Sequence, residues 1–178
     1  VLNGPFKGMI YPSAVSIGST FVPKILGSYE KEITNFINYI LKQDYKNIID
    51  VGCAEGYYAI GLGLRFKNSK IYAFDIDKNA QKQCELMAKV NNIDIKIHGL
   101  CTKDFLKKLS NGGKSLIILD CEGYEKNLID KEVTDRNQGN DFLIETHDFE
   151  DISITEYILN SFRKTHRLDI IESIDDIS

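Results

Sequence analysis

The sequence predicts an α/β protein built on a doubly wound, mostly parallel sheet with helices on both faces. Three observations predict it. From residue 46 onward, short apolar runs alternate with segments whose apolar residues recur at helical spacing. Two of the runs, "NIIDV" at 47–51 and "SLIILD" at 115–120, are almost continuously apolar, as central strands covered on both faces are. A third, "IDIKIH" at 93–98, alternates apolar with polar residues, the pattern of an edge strand with one wet face. Strands alternating with helices pair in parallel through right-handed crossovers, and the strand types suggest the order 3-2-1-4-5, followed by a sixth.

Residues 1–27 hold all three prolines together with Gly4, Gly8, Gly18 and Gly27, and read as a loop or short-hairpin segment wrapped on the domain. Ser28 is placed to cap a helix with Glu30 and Glu32 in its first turn and Ile33, Phe36, Ile37, Ile40 and Leu41 on one face. Residues 1–45 therefore form an N-terminal segment and helix packed on a sheet domain of residues 46–178. Strands are expected at 47–51, 70–75, 93–98, 114–120, 141–146 and 166–172, and helices at 56–67, 78–91, 101–110, 123–131 and 153–164.

A chain of 178 residues makes one domain with a sizeable core, and 43% hydrophobic with 27% charged residues is the balance of a soluble globular protein. No apolar run approaches the roughly 20 residues that cross a bilayer, and no secretory leader pattern precedes the domain, although the chain starts at Val1. A net charge of -4 gives no general attraction for nucleic acid. Cys53, Cys84, Cys101 and Cys121 form no C-x-x-C or zinc spacing and read as reduced thiols of a cytoplasmic protein. Neither nucleic acid nor membrane is expected as a partner, and oligomeric state has no readable code.

Function concentrates where ligands bind such sheets, at the carboxyl ends of the strands beside the switch in strand order. Asp50 and Asp120 both fall there. In "NIIDVGCAEGYYAIGLGL", residues 47–64, Gly52 permits a sharp turn and Gly56 a close approach of the following helix to a ligand. The backbone N–H groups of residues 53–57, with Cys53, Ala54 and Tyr57 among them, are expected to point into the site as a helix start. The second strand ends in "YAFDID", which puts Asp75 on the neighbouring carboxyl end, 23 residues after Gly52, where an acid accepts both hydroxyls of a ribose. Asp77 reads as the cap of the next helix.

The ribose acid does not separate NAD from S-adenosylmethionine. Two details do. The dinucleotide fingerprint is G-x-G-x-x-G, whereas this turn is G-x-x-x-G with Ala54 in the middle glycine's place. A carboxylate at Asp50 would repel a pyrophosphate but welcomes a sulfonium and its amino group. The balance favours S-adenosylmethionine.

"DVGCAEGYYA" resembles the first motif of class I S-adenosylmethionine-dependent methyltransferases. "LDCEGYE", residues 119–125, resembles the "IDVEGYE" segment of FkbM-type methyltransferases, and "GSYEKEI" and "LIETHDF" are similar to further pieces of that group. The resemblance runs from about residue 4 to 174. It implies a Rossmann-like sheet with Asp50, Gly52 and Gly56 at the methionine end of the cofactor and Asp75 on the ribose. Ile76 and Leu100 would flank the adenine, and Asp120 would face the substrate. It also implies a seventh, antiparallel strand that the chain does not show, so that the domain reads as truncated after Ser178.

The expected activity is O-methylation of a small-molecule or sugar hydroxyl by in-line transfer, which needs positioning and removal of the hydroxyl proton. Asp120, Glu122 and His147 are the candidates for that work. His147 titrates near neutrality and reads as a base or as a polar loop residue. Asp120 reads as an organiser of the cofactor's amino group, and Glu122 as facing the acceptor or capping a helix. Asp120, Glu145 and Asp148 offer oxygen atoms at no hard-cation spacing, so no metal is expected. The alternatives are an NAD(P)-dependent oxidoreductase and a non-catalytic S-adenosylmethionine-binding domain.

Overall fold

The computed structural model describes residues 1–109 and 112–172. Its elements run α1 (Phe21–Leu26), α2 (Thr34–Ile40), β1 (Asn47–Val51), α3 (Tyr57–Arg65), β2 (Lys70–Phe74), α4 (Lys78–Asn91), β3 (Ile95–His98), α5 (Lys103–Leu109), β4 (Ser115–Leu119), α6 (Glu125–Leu128), α7 (Lys131–Arg136), β5 (Asp141–Ile144) and α8 (Ile154–Phe162). Among the described residues the sheet is five-stranded, parallel throughout, in the order β3-β2-β1-β4-β5. That is the order the apolar patterns predict. β1 and β4 are buried along their whole length, while β3 alternates half-buried and exposed positions.

Because side chains alternate across a strand, each strand feeds two cores. Ile48, Ile71, Leu116 and Ile118 pack with Ile60 and Leu62 of α3, Met87 of α4 and Ile37 and Ile40 of α2. Ile49, Val51, Ile117 and Leu119 pack on the other face with Leu106, Leu128, Val133, Ile154, Ile158 and Phe162. The N-terminal segment joins the first core through Phe6, whose ring lies where any side chain at Gly61 would stand, 2.5 Å from a Cβ built there. Burying such a ring contributes roughly 1.5–3 kcal/mol. Asn91, at the end of α4, grips the same segment with hydrogen bonds from the Ile10 N–H and to the Ile10 carbonyl.

Four expectations are corrected. Residues 166–172 form no strand: after α8 the chain turns at 163–166 and then lies exposed, with Leu168, Ile170 and Ile171 on the surface. Their apolar pattern has no neighbouring strand to bond among the described residues. The seventh strand and truncation concern residues after this stretch, and residues 173–178, like residue 110 of the helix expected at 101–110, lie outside the described residues. Ser28 caps no helix, because Glu30 adopts a left-handed φ of 45° and a 3-10 turn over Lys31–Ile33 precedes α2. The segment 1–27 contains α1, with Pro23 in the first turn, where the missing N–H has no intrahelical partner to lose. The helix expected at 123–131 divides at Ile129, and Asp130 caps α7 by accepting from the Val133 N–H.

Candidate active site

The site grows from the turn after β1. The ladder between β1 and β4 continues one step beyond both, where the Asp120 N–H donates to the Val51 carbonyl at 2.9 Å. Gly52 lies against that extension with φ 83°, and a Cβ there would stand 1.5 Å from the Asp120 carbonyl oxygen. Only glycine fits. The N–H groups of Gly52 and Cys53 both donate to the Phe74 carbonyl, at 2.9 and 3.0 Å, Ala54 N–H donates to Asp75 Oδ2 at 2.9 Å, and Gly56 N–H donates to the Cys53 carbonyl at 2.7 Å.

That pattern removes Cys53, Ala54 and Gly56 from the expected N–H cradle. The amides of Gly52, Cys53, Ala54 and Gly56 are spent within the chain, tying the turn to β2 rather than pointing at a ligand. Gly56 is likewise corrected. It is not on the cavity wall, and its φ of 96° and missing side chain serve helix packing, since a Cβ there would meet Cys84 Sγ of α4 at 2.8 Å.

Asp50 is buried at the end of β1, and its Oδ2 accepts the Ala59 N–H at 2.9 Å. Ala59 is the third residue of α3, so this carboxylate satisfies one of the helix's otherwise unpartnered amides. Burial pushes the Asp50 carboxyl up to about 7, and the charges of Asp120 and Asp75 push the same way. Asp75 accepts from Ala54 with one oxygen and from the Asp77 N–H with the other, at 2.9 Å each.

Above these residues lies a cavity of about 640 Å³, within the range of small-molecule sites. Asp50, Gly52, Cys53, Ala54 and Tyr57 form its floor, Asp75 and Ile76 one wall, Leu100 another, and Asp120 with Glu122 the far end. Ile76 and Leu100 are apolar yet 76% and 55% exposed. His147 is not on the wall. It sits buried behind it, with Nε2 at 3.3 Å from Asp120 Oδ1 and 3.7 Å from Glu122 Oε2, and Nδ1 at 2.7 Å from Glu125 Oε1. The hydrogen bonds to Asp120 and Glu125 push the imidazole up to about 10. With both ring nitrogens facing carboxylates and the ring off the cavity wall, His147 follows its reading as a polar loop residue rather than as a base. Glu122 is not a helix cap; it takes a left-handed φ of 51° that turns it toward the cavity end.

Sequence reasoning offered Tyr29, beside Glu30, as closing over the site or as an ordinary helix start, and missed the other residues that roof the cavity. Ile17, Gly18, Ser19, Lys24 and Tyr29 line it from the N-terminal segment, with Tyr58 of α3 beside them. That segment is pinned by Glu55, buried in the glycine turn. Glu55 pairs with buried Lys24 at 2.6 Å and accepts from Ile17 N–H, Ser16 Oγ and Tyr11 Oη at 2.9, 3.1 and 3.2 Å. Burial alone raises a carboxyl, but Lys24 and the Ile17 amide outweigh it and hold Glu55 below its usual value. A charged residue inside an otherwise apolar turn was the one available signal. Glu145 was considered only as a metal donor. Its N–H extends the β4–β5 ladder to Leu119, and loss of water around its carboxyl, then the charges of Asp120 and Glu30, push it up to about 7. Cys53, Cys84, Cys101 and Cys121 are free thiols, and among the described residues no helix is long and apolar enough to cross a membrane.

Comparison with known proteins adds the family context. Residues 33–120, just under half of the chain, match the family model of the methyltransferase small domain. Over 58 residues, 33% of this chain, the sequence is 41% identical to the release factor glutamine methyltransferase of Dictyoglomus turgidum, and the match spans 21% of that protein. The structure overlays on the O-methyltransferase TomG of Streptomyces achromogenes, solved with SAM, with a TM-score of 0.51 at 10% identity, covering 79% of this chain and 67% of the other. It also overlays on the Pyrococcus abyssi tRNA (uracil-54, C5)-methyltransferase with a TM-score of 0.47 at 14% identity, covering 73% of this chain and 31% of that one. The sheet order and the overlay on TomG identify a Rossmann-like fold.

Proposed function

We propose that this chain binds S-adenosylmethionine in the cavity above β1, β2 and β4 and directs methyl transfer to a hydroxyl of a small molecule or sugar. One observation carries the reading: a cavity that presents Asp50, Asp75 and Asp120 while the amides of its glycine turn are consumed within the chain. Such a floor repels a pyrophosphate and attracts a cation, which disfavours the nicotinamide alternative. S-adenosylmethionine supplies a methyl group on a positively charged sulfur.

The residues divide the work along the cavity. Asp75 takes the ribose hydroxyls with the acceptor capacity its two oxygens keep beyond the turn amides, and Ile76 and Leu100 flank the adenine. Asp50 and Asp120 face the cationic end, with Gly52, Cys53, Ala54 and Tyr57 shaping the floor between them. Glu122 and Asp120 meet the acceptor. His147, bonded to Asp120 and backed by Glu125, positions that carboxylate. The "LDCEGYE" segment that forms the acceptor end supports a FkbM-type enzyme.

The names of the relatives span protein, tRNA and O-methyl acceptors, so the expectation against nucleic acid rests on charge alone. Titration calorimetry and thermal unfolding with S-adenosylhomocysteine and with NADH test the proposal. The first is expected to bind and to stabilise by about 2.7 kcal/mol at 100 times its dissociation constant. Stabilisation by NADH alone would overturn the cofactor assignment, and binding without methylation of a panel of alcohols and sugars would leave a non-catalytic binding domain.

A further inference from the structure

Asp120 at the end of β4, Glu122 in the left-handed turn after it and His147 in the loop after β5 converge although 25 or more positions separate the histidine from either acid in sequence. Each offers one ligand atom, and the three atoms lie within 4.8 Å of one another. Two ligands each about 2.1 Å from one ion at a tetrahedral angle are about 3.4 Å apart. The separations of 3.3 Å from His147 Nε2 to Asp120 and 3.7 Å to Glu122 fit that edge.

His147 is also oriented as a ligand. Its side chain is 5% exposed, its Nδ1 is held by the fully buried Glu125, and its Nε2 is thereby aimed at the two acids. A metal-ligating imidazole is held in this way, with a carboxylate on the nitrogen away from the ion. Glu125 Oε1 is itself fixed by the Gly123 N–H and the Cys121 thiol.

We propose that Asp120, Glu122 and His147 bind a single first-row divalent cation of the Mn²⁺ or Zn²⁺ type at the acceptor end of the cavity. One imidazole with two carboxylates suits such borderline ions better than Ca²⁺ or Mg²⁺, which favour all-oxygen shells. Coordination is by neutral Nε2, with its proton released to solvent. Three protein ligands leave a position open on the side where Asp120 and Glu122 line the cavity. There the ion would hold the oxygen of a hydroxyl acceptor and lower the pKa of that hydroxyl. The inference rests on the methyltransferase reading for this role, not for whether the ion binds.

The test is the electron paramagnetic resonance signal of free Mn²⁺ titrated with the chelator-treated chain. One equivalent is expected to bind. Glu122→Ala, at a 70% exposed side chain that leaves folding intact, and His147→Gln should each weaken binding by at least about ten-fold, and Glu125→Gln by roughly 10–100-fold. An unchanged free-ion signal with the parent chain at millimolar metal overturns the proposal, as does Mn²⁺ affinity preserved in Glu122→Ala and His147→Gln. Calorimetry of S-adenosylhomocysteine with the parent chain separates the two readings. Cofactor binding without Mn²⁺ removes the metal site alone, and Mn²⁺ binding without the cofactor removes the methyltransferase reading alone.

Discussion

Lys24 and Glu55, 3% and 1% exposed, meet at 2.6 Å beneath the N-terminal segment and fasten the roof of the cavity to its glycine turn. Neither charge has water to fall back on, so removing one partner leaves the other buried without its counter-charge. Lys24→Met is expected to lower stability by about 3–5 kcal/mol. The double substitution Lys24→Met with Glu55→Gln should cost clearly less than the sum of the two singles, because no lone charge remains. Urea unfolding of the four proteins measures this coupling; additive losses would show that the pair does not fasten the roof.

Gly52→Ala separates a backbone role from a ligand role. A methyl group 1.5 Å from the Asp120 carbonyl forces the ends of β1 and β4 apart. The unliganded protein should lose more than about 3 kcal/mol. Unfolding without cofactor is the measurement, and unchanged stability with lost binding would return Gly52 to a purely ligand-facing role.

Asp75→Ala removes acceptors from the Ala54 and Asp77 amides as well as from a ribose. Cofactor affinity should fall by roughly 1.5–3 kcal/mol, the worth of charged hydrogen bonds. A loss of stability of about 1–3 kcal/mol should accompany it from the orphaned turn amide. Calorimetry with S-adenosylhomocysteine and unfolding of the free protein read the two effects separately. Unchanged affinity would place the ribose elsewhere.

Asp50 gives the site a pH dependence. Its carboxyl titrates near 7 when folded against an ordinary 3.8. Between those values the folded chain holds more protons than the unfolded one, so stability falls as pH rises through the window. The contribution is fully present below 3.8 and lost above about 7. Asp50→Asn removes that slope and should make the free protein more stable than its parent at about pH 8. The same substitution should weaken S-adenosylmethionine, which carries the charged sulfur, more than S-adenosylhomocysteine, which does not. Equal losses for the two ligands would mean that Asp50 does not sense the cation.

The order of the strands was legible in the sequence because it follows from how much of each strand is covered. "NIIDV" and "SLIILD" have no polar face to show to water, whereas "IDIKIH" does, and the sheet has few ways to satisfy both. Asp50, Gly52, Asp75 and Asp120 were legible as cavity residues for a related reason, since parallel strands deliver their carboxyl ends to one edge, whereas Ile76 and Leu100 came from the resemblance. Other features were decided only by contacts between residues far apart in the chain. The Lys24–Glu55 pair, the use of the turn amides by Phe74 and Asp75, the Glu125–His147–Asp120 chain and the exposed course of residues 167–172 are of this kind. Local pattern reports which residues are buried and at what period. It carries no information on which partner a buried group will find, and that choice set His147 against Glu125 and Asp120 and Gly56 against Cys84.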